Sequence, residues 1–396
     1  MKTPRMVPAE IPGRELMYYL VDDALDFIPE VKEFLDWKAA TRRAPATIKA
    51  YCSRLEWYYR FLSRKHLRVV NVTPADITEF VIWLCNPYRE AENVSVNPLQ
   101  ETSVNLILQA VGALYRFLIR RGQIHDSPVV YVDIPRGRWL TERDLLAHTR
   151  PSQQRVQRME LKLKEPITFP KTVSEQDFKV FVESIHVGNE PFGDPSGFRD
   201  RLLCLLLMEG GLRIGELLGM HMEDLEFGKQ GVHIRFRADN ENGARAKAGY
   251  GRDRFVHLPP DILGLLDMYI TEVWIEAAPH TEHLWIVLKK GAKNREGSST
   301  FGTALALPAV EEMFRHYSKK SGVDVHPHLL RHSHATQLVR SYLRDGQPVD
   351  WKFVQERLGH ASVVTTMQTY THLTNDDRKL AYDNYLTKKG TVHARP

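Results

Sequence analysis

The stretch from His326 to His372 constrains this chain more than any other, because three short helical patterns follow one another there with reactive side chains at their ends. It opens with HPHLLRHSH, in which His328 and Arg331 lie three residues apart in a helical pattern and so leave the same face. A second pattern, from Pro348 to Leu358, repeats Val349, Phe353, Val354 and Leu358 at helical spacing and stops at Gly359, where a left-handed C-cap residue is expected. His360 follows that stop directly. A third, Ser362 to Leu373, sets Val363, Met367 and Tyr370 on one face. Two imidazoles, a guanidinium and a phenol are thereby gathered where one phosphate could meet them all.

The rest of the chain divides around this stretch. At 396 residues it is long for a single core, and its 43% apolar content can fill two. Residues 1–20 are Pro-rich and patternless, which reads as a flexible lead-in. Residues 21–134 form a first domain, its patterning all helical from Ile28 to about Arg121. One helix passes through Val31, Phe34 and Leu35, a second opens at Pro45, a third is capped by Thr73-Pro74, and a fourth runs from Thr102 to Arg121. The second also carries Lys49, Arg54, Arg60 and Arg64, so a small bundle with basic side chains on its surface is expected. For any one of those charges alone, a solvated helix face is the preferred reading. Residues 135–170 turn polar and basic, with Arg136, Arg138, Arg155 and Arg158 among few apolar residues. They read as an interdomain connector able to lie against a phosphate backbone.

A second domain, 171–396, begins at a Thr172-x-x-Glu175 capping box, continues through the apolar helix Phe198 to Met208, and ends in a last helix from about 375. After Gly210-Gly211 comes LRIGELLGM, where Arg213 and Glu216 sit three apart among Leu212, Ile214, Leu217 and Leu218. A charged pair in such company needs a partner or a ligand. Val232 to Arg237 and Arg254 to Leu258 alternate as a β-hairpin with Lys247 in its loop, and Leu284 to Leu288 is a candidate further strand. The expected fold class is therefore mainly α with a small antiparallel sheet (α+β).

Arg213, Lys247, His328, Arg331, His360 and Tyr370 form a chemically coherent set. Arginines stay charged at any cellular pH and grip phosphate oxygens through a planar fork, stabilising charge that builds on a five-coordinate phosphorus. A tyrosine hydroxyl becomes a nucleophile once its proton is removed, and lysine and histidine supply acid and base capacity. The set holds no carboxylate cluster for magnesium, so phosphoryl transfer without metal or cofactor is expected.

In this combination the chain resembles the tyrosine recombinases, or phage integrase family. GLRIGELLGM with Arg213 and Glu216 is similar to the family's first arginine motif, ENGARAKAG brings in Lys247, HLLR supplies the H-x-x-R of His328 and Arg331, Leu358-Gly359-His360 supplies L-G-H, and TTMQTYTHL contains Tyr370. The resemblance implies an N-terminal helical, SAM-like core-binding domain and a mixed catalytic domain of the tyrosine recombinase type. It further implies that Tyr370 attacks a DNA phosphate to form a 3′-phosphotyrosyl link, that Arg213, Arg331 and His360 hold non-bridging oxygens, that Lys247 protonates the leaving oxygen, that His328 assists proton movement, and that Glu216 orients Arg213 or its neighbours. Family members act as a tetramer on paired sites of double-stranded DNA, some with an accessory DNA-bending or directionality protein.

Competing readings have distinguishable consequences. His326, His328, His332 and His334 invite a zinc site, but neither a third acidic ligand nor a paired cysteine motif accompanies them. A type IB topoisomerase would share the phosphotyrosine chemistry without exchanging partners, and a DNA-binding protein that had lost catalysis would lack one of these active-site residues. Cys52, Cys85 and Cys204 are scattered in apolar patterns, as reduced thiols of a cytoplasmic protein would be, and association with the nucleoid and not with a membrane is expected. The formal charge of +5 tilts the same way, toward a polyanionic partner.

Overall fold

The computed structural model describes residues 4–9, 17–41, 43–86, 98–135, 155–166, 171–188, 193–246, 253–294 and 297–370, with 379, 382, 385 and 386. The chain forms two compact units, 1–167 and 168–396. Each has its own apolar core.

In the first unit, strands β1 (Arg5–Ala9) and β2 (Met17–Val21) pair antiparallel, with Arg5 opposite Val21. Helices α1 (Pro29–Ala40), α2 (Pro45–Lys65), α3 (Pro74–Cys85) and α4 (Glu101–Arg120) follow. Proline at the first position of α1, α2 and α3 presets the backbone where no N–H is needed. Thr73 closes α3 reciprocally: its hydroxyl accepts from the Asp76 N–H, and its own N–H donates to the Asp76 carboxylate at 2.8 Å. The core is built from Phe34, Leu55, Tyr58, Phe80, Leu108 and Leu114, all fully buried. By length and composition α4 could cross a membrane, yet 61% of that span is buried inside the protein, because it is the central helix of this bundle.

Two expectations are corrected here. The supposed lead-in contains the β1–β2 hairpin, and Met17, Tyr19, Leu20 and Val21 are buried against the helices. The supposed connector is also partly structured: β3 (Tyr131–Pro135) pairs antiparallel with β4 (Arg155–Met159), Met159 enters the bundle core, and Asn105 on α4 grips the main chain of Leu163 in both directions. Both departures have one cause, since pairing between distant segments leaves little trace in local pattern. Arg136 and Arg138 lie outside the described residues.

The second unit contains α5 (Glu175–Ser184), α6 (Pro195–Gly210), α7 (Ile214–Leu218), the strands β5 (Leu225–Glu226), β6 (Gly231–Ile234) and β7 (Arg254–His257), then α8 (Pro260–Tyr269) with a π-helical extension, α9 (Leu307–Ser321), α10 (Pro327–Arg344), α11 (Trp351–Leu358) and α12 (Val363–Tyr370). The strands form one antiparallel sheet in the order β5-β6-β7, with Val232 opposite Val256 and Ile234 opposite Arg254. The architecture is thus mainly helical with small antiparallel sheets, as the patterning implied. α5 starts later than expected: Ser174, not Thr172, is its cap, accepting from the Asp177 N–H at 3.0 Å. Val173 is buried and donates its N–H to the Ser333 hydroxyl on α10, which keeps the preceding backbone extended. Leu284–Leu288 forms no strand; Ile286 makes a single bridge to Ala304 while Trp285 fills the core. Most of the expected last helix lies outside the described residues, and of its members Tyr382 and Tyr385 are exposed.

Candidate active site

The site is organised around the Glu216 carboxylate, 3% exposed on α7. Gly211 ends α6 in the left-handed conformation, at φ 61°, which turns the chain sharply so that Arg213 stands as the N-cap of α7. Glu216 then lies in the first turn of α7 and reaches back. It accepts the Arg213 N–H at 2.9 Å and an Arg213 guanidinium N–H at 2.8 Å. Its other donor is Arg254 on β7, which bonds both carboxylate oxygens, at 3.0 and 2.7 Å. A carboxylate has about four acceptor sites, and these four bonds occupy them. Arg331 of α10 stands 3.9 Å away, itself only 4% exposed. Burial presses the Glu216 carboxyl upward, but the bonds and charge of Arg254, then the charges of Arg213 and Arg331, outweigh it and hold the group down at about 2.

The arginines also bind the turn after α11. Arg213 donates to the Gly359 carbonyl at 3.1 Å, Arg331 to the Leu358 carbonyl at 2.5 Å, and Arg254 to the Arg357 carbonyl at 3.1 Å. A further Arg331 N–H reaches the Gly211 carbonyl at 2.7 Å, tying that turn to the start of the site. Gly359 takes φ 62°, as its place at the stop of the helical pattern predicted, and His360 emerges from the turn. The imidazole Nδ1 lies 2.9 Å from the Thr366 hydroxyl on α12, which sets the ring plane, and the His360 carbonyl accepts from the Gln355 amide. Burial, then the positive charges of Arg331 and Arg213, lower His360 to about 4, so the ring is neutral at cellular pH.

Arg213, Glu216, Arg331 and His360 are therefore brought together. His328 is on α10, one turn before Arg331, with its side chain exposed. Tyr370 is the last residue of α12, which packs on α10 and α11; its side chain lies outside the described residues, as does Lys247. The chain leading to Lys247 is fixed at Asn242, whose amide donates to the Leu218 and Leu305 carbonyls, both at 2.9 Å. Two of the other histidines have local duties: the His326 ring accepts from the Leu329 N–H to cap α10, and buried His334 accepts from Arg357 at 2.9 Å. In the first unit Lys49 and Arg64 are exposed on α2, Lys49 standing over the Tyr18 ring. Arg54 and Arg60 are half-buried, Arg60 held by Glu56 and Trp57. Arg158 is exposed on β4, while the Arg155 side chain is outside the described residues.

Arg254 was missed in the sequence reading, although a signal exists. It is in phase with Val256 and Leu258, both buried, so an arginine stands on the apolar face of its strand.

The match to known proteins decides the family. Residues 174–377 fit the model described as "Phage integrase family", and residues 31–122 fit "Phage integrase, N-terminal SAM-like domain". The chain belongs to the phage integrase family. Among integrase-family relatives, transposase A from transposon Tn554 of Staphylococcus aureus is 31% identical over 378 residues, covering 94% of this chain and 95% of that one. Tyrosine recombinase XerA of Pyrococcus furiosus is 30% identical over 220 residues, 56% of this chain and 63% of that one. In fold, the Tn1549 transposon integrase in complex with transposon right end DNA matches with a TM-score of 0.57 at 17% identity, over 90% of this chain and 99% of that one. Tyrosine recombinases of this family cleave and rejoin DNA through a tyrosine intermediate.

Proposed function

We propose that this protein is a site-specific DNA recombinase that cuts and rejoins double-stranded DNA through a 3′-phosphotyrosyl intermediate, serving integration, excision or transposition of a mobile element. The observation that carries the reading is the convergence of Arg213, Arg331 and His360 around one buried carboxylate, in a chain with a near full-length transposase relative.

In this reading Tyr370 loses its proton and its oxygen attacks the scissile phosphorus, forming a P–O bond as the bond to the 5′ oxygen breaks. Arg213 and Arg331, held in place by the carbonyls they also grip, stabilise the charge on the non-bridging oxygens. His360 adds a hydrogen bond to a non-bridging oxygen. Lys247 gives a proton to the departing 5′ oxygen and His328 assists proton movement at the nucleophile. The ester energy stays in the phosphotyrosine, so a 5′ hydroxyl from another strand reseals the backbone by the reverse displacement. Basic residues of the first unit, Lys49, Arg54, Arg60, Arg64, Arg136, Arg138, Arg155 and Arg158, contact phosphates along the duplex, and the protein works in the cytoplasm beside the nucleoid as a tetramer on paired sites.

The test is to incubate the protein with duplexes from the DNA flanking its own gene, trap covalent adducts by denaturation, and map the break. Wild type should form an adduct with a free 5′ hydroxyl; Tyr370→Phe should form none while keeping wild-type DNA affinity. Full adduct formation by Tyr370→Phe would overturn the nucleophile assignment. A two-site exchange assay beside plasmid relaxation separates recombinase from topoisomerase.

A further inference from the structure

We propose that Arg254 is a positioning residue of this active site, a two-pronged guanidinium that locks the Glu216 carboxylate to the Arg357 carbonyl so that the helix start bearing Arg213 and the turn bearing His360 hold one geometry. The proposal rests on the functional reading above and names a group that reading does not use.

Three features support it. Arg254 joins elements distant in sequence: β7, which carries it, α7 through both Glu216 oxygens, and the end of α11 through Arg357. Its side chain is only 10% exposed, and the Glu216 side chain is fully buried, so neither group is arranged by solvent. The turn is also shaped to receive it. A Cβ on Gly359 would stand 2.7 Å from one Arg254 guanidinium nitrogen and 2.9 Å from its carbon, so the guanidinium lies flat against bare backbone there. Among the described residues, Arg213, Arg254 and Arg331 are the charged groups facing Glu216 from α7, β7 and α10. Arg213 and Arg331 grip the Gly359 and Leu358 carbonyls, and Arg254, turned to the Arg357 carbonyl, braces the same turn beside them.

Two measurements on the full-length protein test this, one of them independent of DNA. The first is a carboxyl ¹³C titration of Glu216 in wild type, Arg254→Met and Arg254→Lys. Burial acts to raise this carboxyl and Arg254 leads the groups that lower it, so the methionine variant should titrate at least about one unit higher. An unchanged titration would overturn the proposal. The second is single-turnover adduct formation on a nicked duplex carrying the mapped break. Arg254→Met should react about a hundredfold more slowly, the scale of a misplaced reacting group, with DNA affinity kept within about threefold. Arg254→Lys should recover part of the rate, and should serve as the test if the methionine variant does not fold. The methionine variant should also lose activity toward acid pH where wild type does not, and adding Glu216→Gln should remove that acid limb. A wild-type rate and pH profile in Arg254→Met, or a loss confined to DNA affinity, refutes the positioning role. If wild type itself forms no Tyr370-dependent adduct, the functional reading fails, while the titration still decides whether Arg254 governs Glu216.

Discussion

At Glu216 a single carboxylate is the counter-ion for several guanidinium groups, and that arrangement makes the residue as much structural as chemical. Glu216→Gln leaves Arg254 and Arg331 buried without compensating charge, which should cost about 3–5 kcal/mol of stability, read from the urea midpoint at pH 7. Arg213 and Glu216 could be found from the sequence because charged residues among so many leucines call for explanation. His360 and Gly359 could be found because a helix stop is a local signal. Arg254 was harder to see: its alternation resembles a half-solvated strand, and its partner Glu216 is distant in sequence and on another element. Thr366, which orients His360, carries no local signal beyond its place on a helix.

Elements with strong helical period were readable to within a few residues; α2 begins at Pro45 and α3 at Pro74, where proline and capping threonine placed them. What local pattern could not supply was pairing across distance, as in β1–β2 and β3–β4, or a choice between overlapping caps. Thr172-x-x-Glu175 and Ser174-x-x-Asp177 are equally good motifs, and the contact of Val173 with Ser333 selects the second. Ser174→Ala should therefore cost about 1 kcal/mol, whereas Thr172→Ala should leave the urea midpoint unchanged. Equal losses would place the helix start where the sequence alone suggested.

For the whole molecule, two separate cores predict that residues 1–167 expressed alone will unfold cooperatively by circular dichroism. A broad, non-cooperative melt would contradict this. Stability should also depend on pH in a defined sense. Burial, then the charge of Arg357, lowers His334 to about 3, and His360 is lowered to about 4, both from an unfolded value of 6.5. A lowered pKa means that the unfolded chain binds protons first, so their stabilisation is complete above pH 6.5 and is lost as pH falls toward about 4 and about 3. From pH 6.5 to 5, buried His334 alone should remove roughly 2 kcal/mol, and below 4.5 Glu216 adds its own loss toward about 2. A flat urea midpoint across that range would be inconsistent with a neutral, buried His334. The turn at Arg357, Leu358 and Gly359 is gripped by its main-chain oxygens, which every amino acid possesses. Inserting or deleting one residue there shifts all of these handles by a step, so the length of this segment is fixed by the three guanidinium groups that hold it.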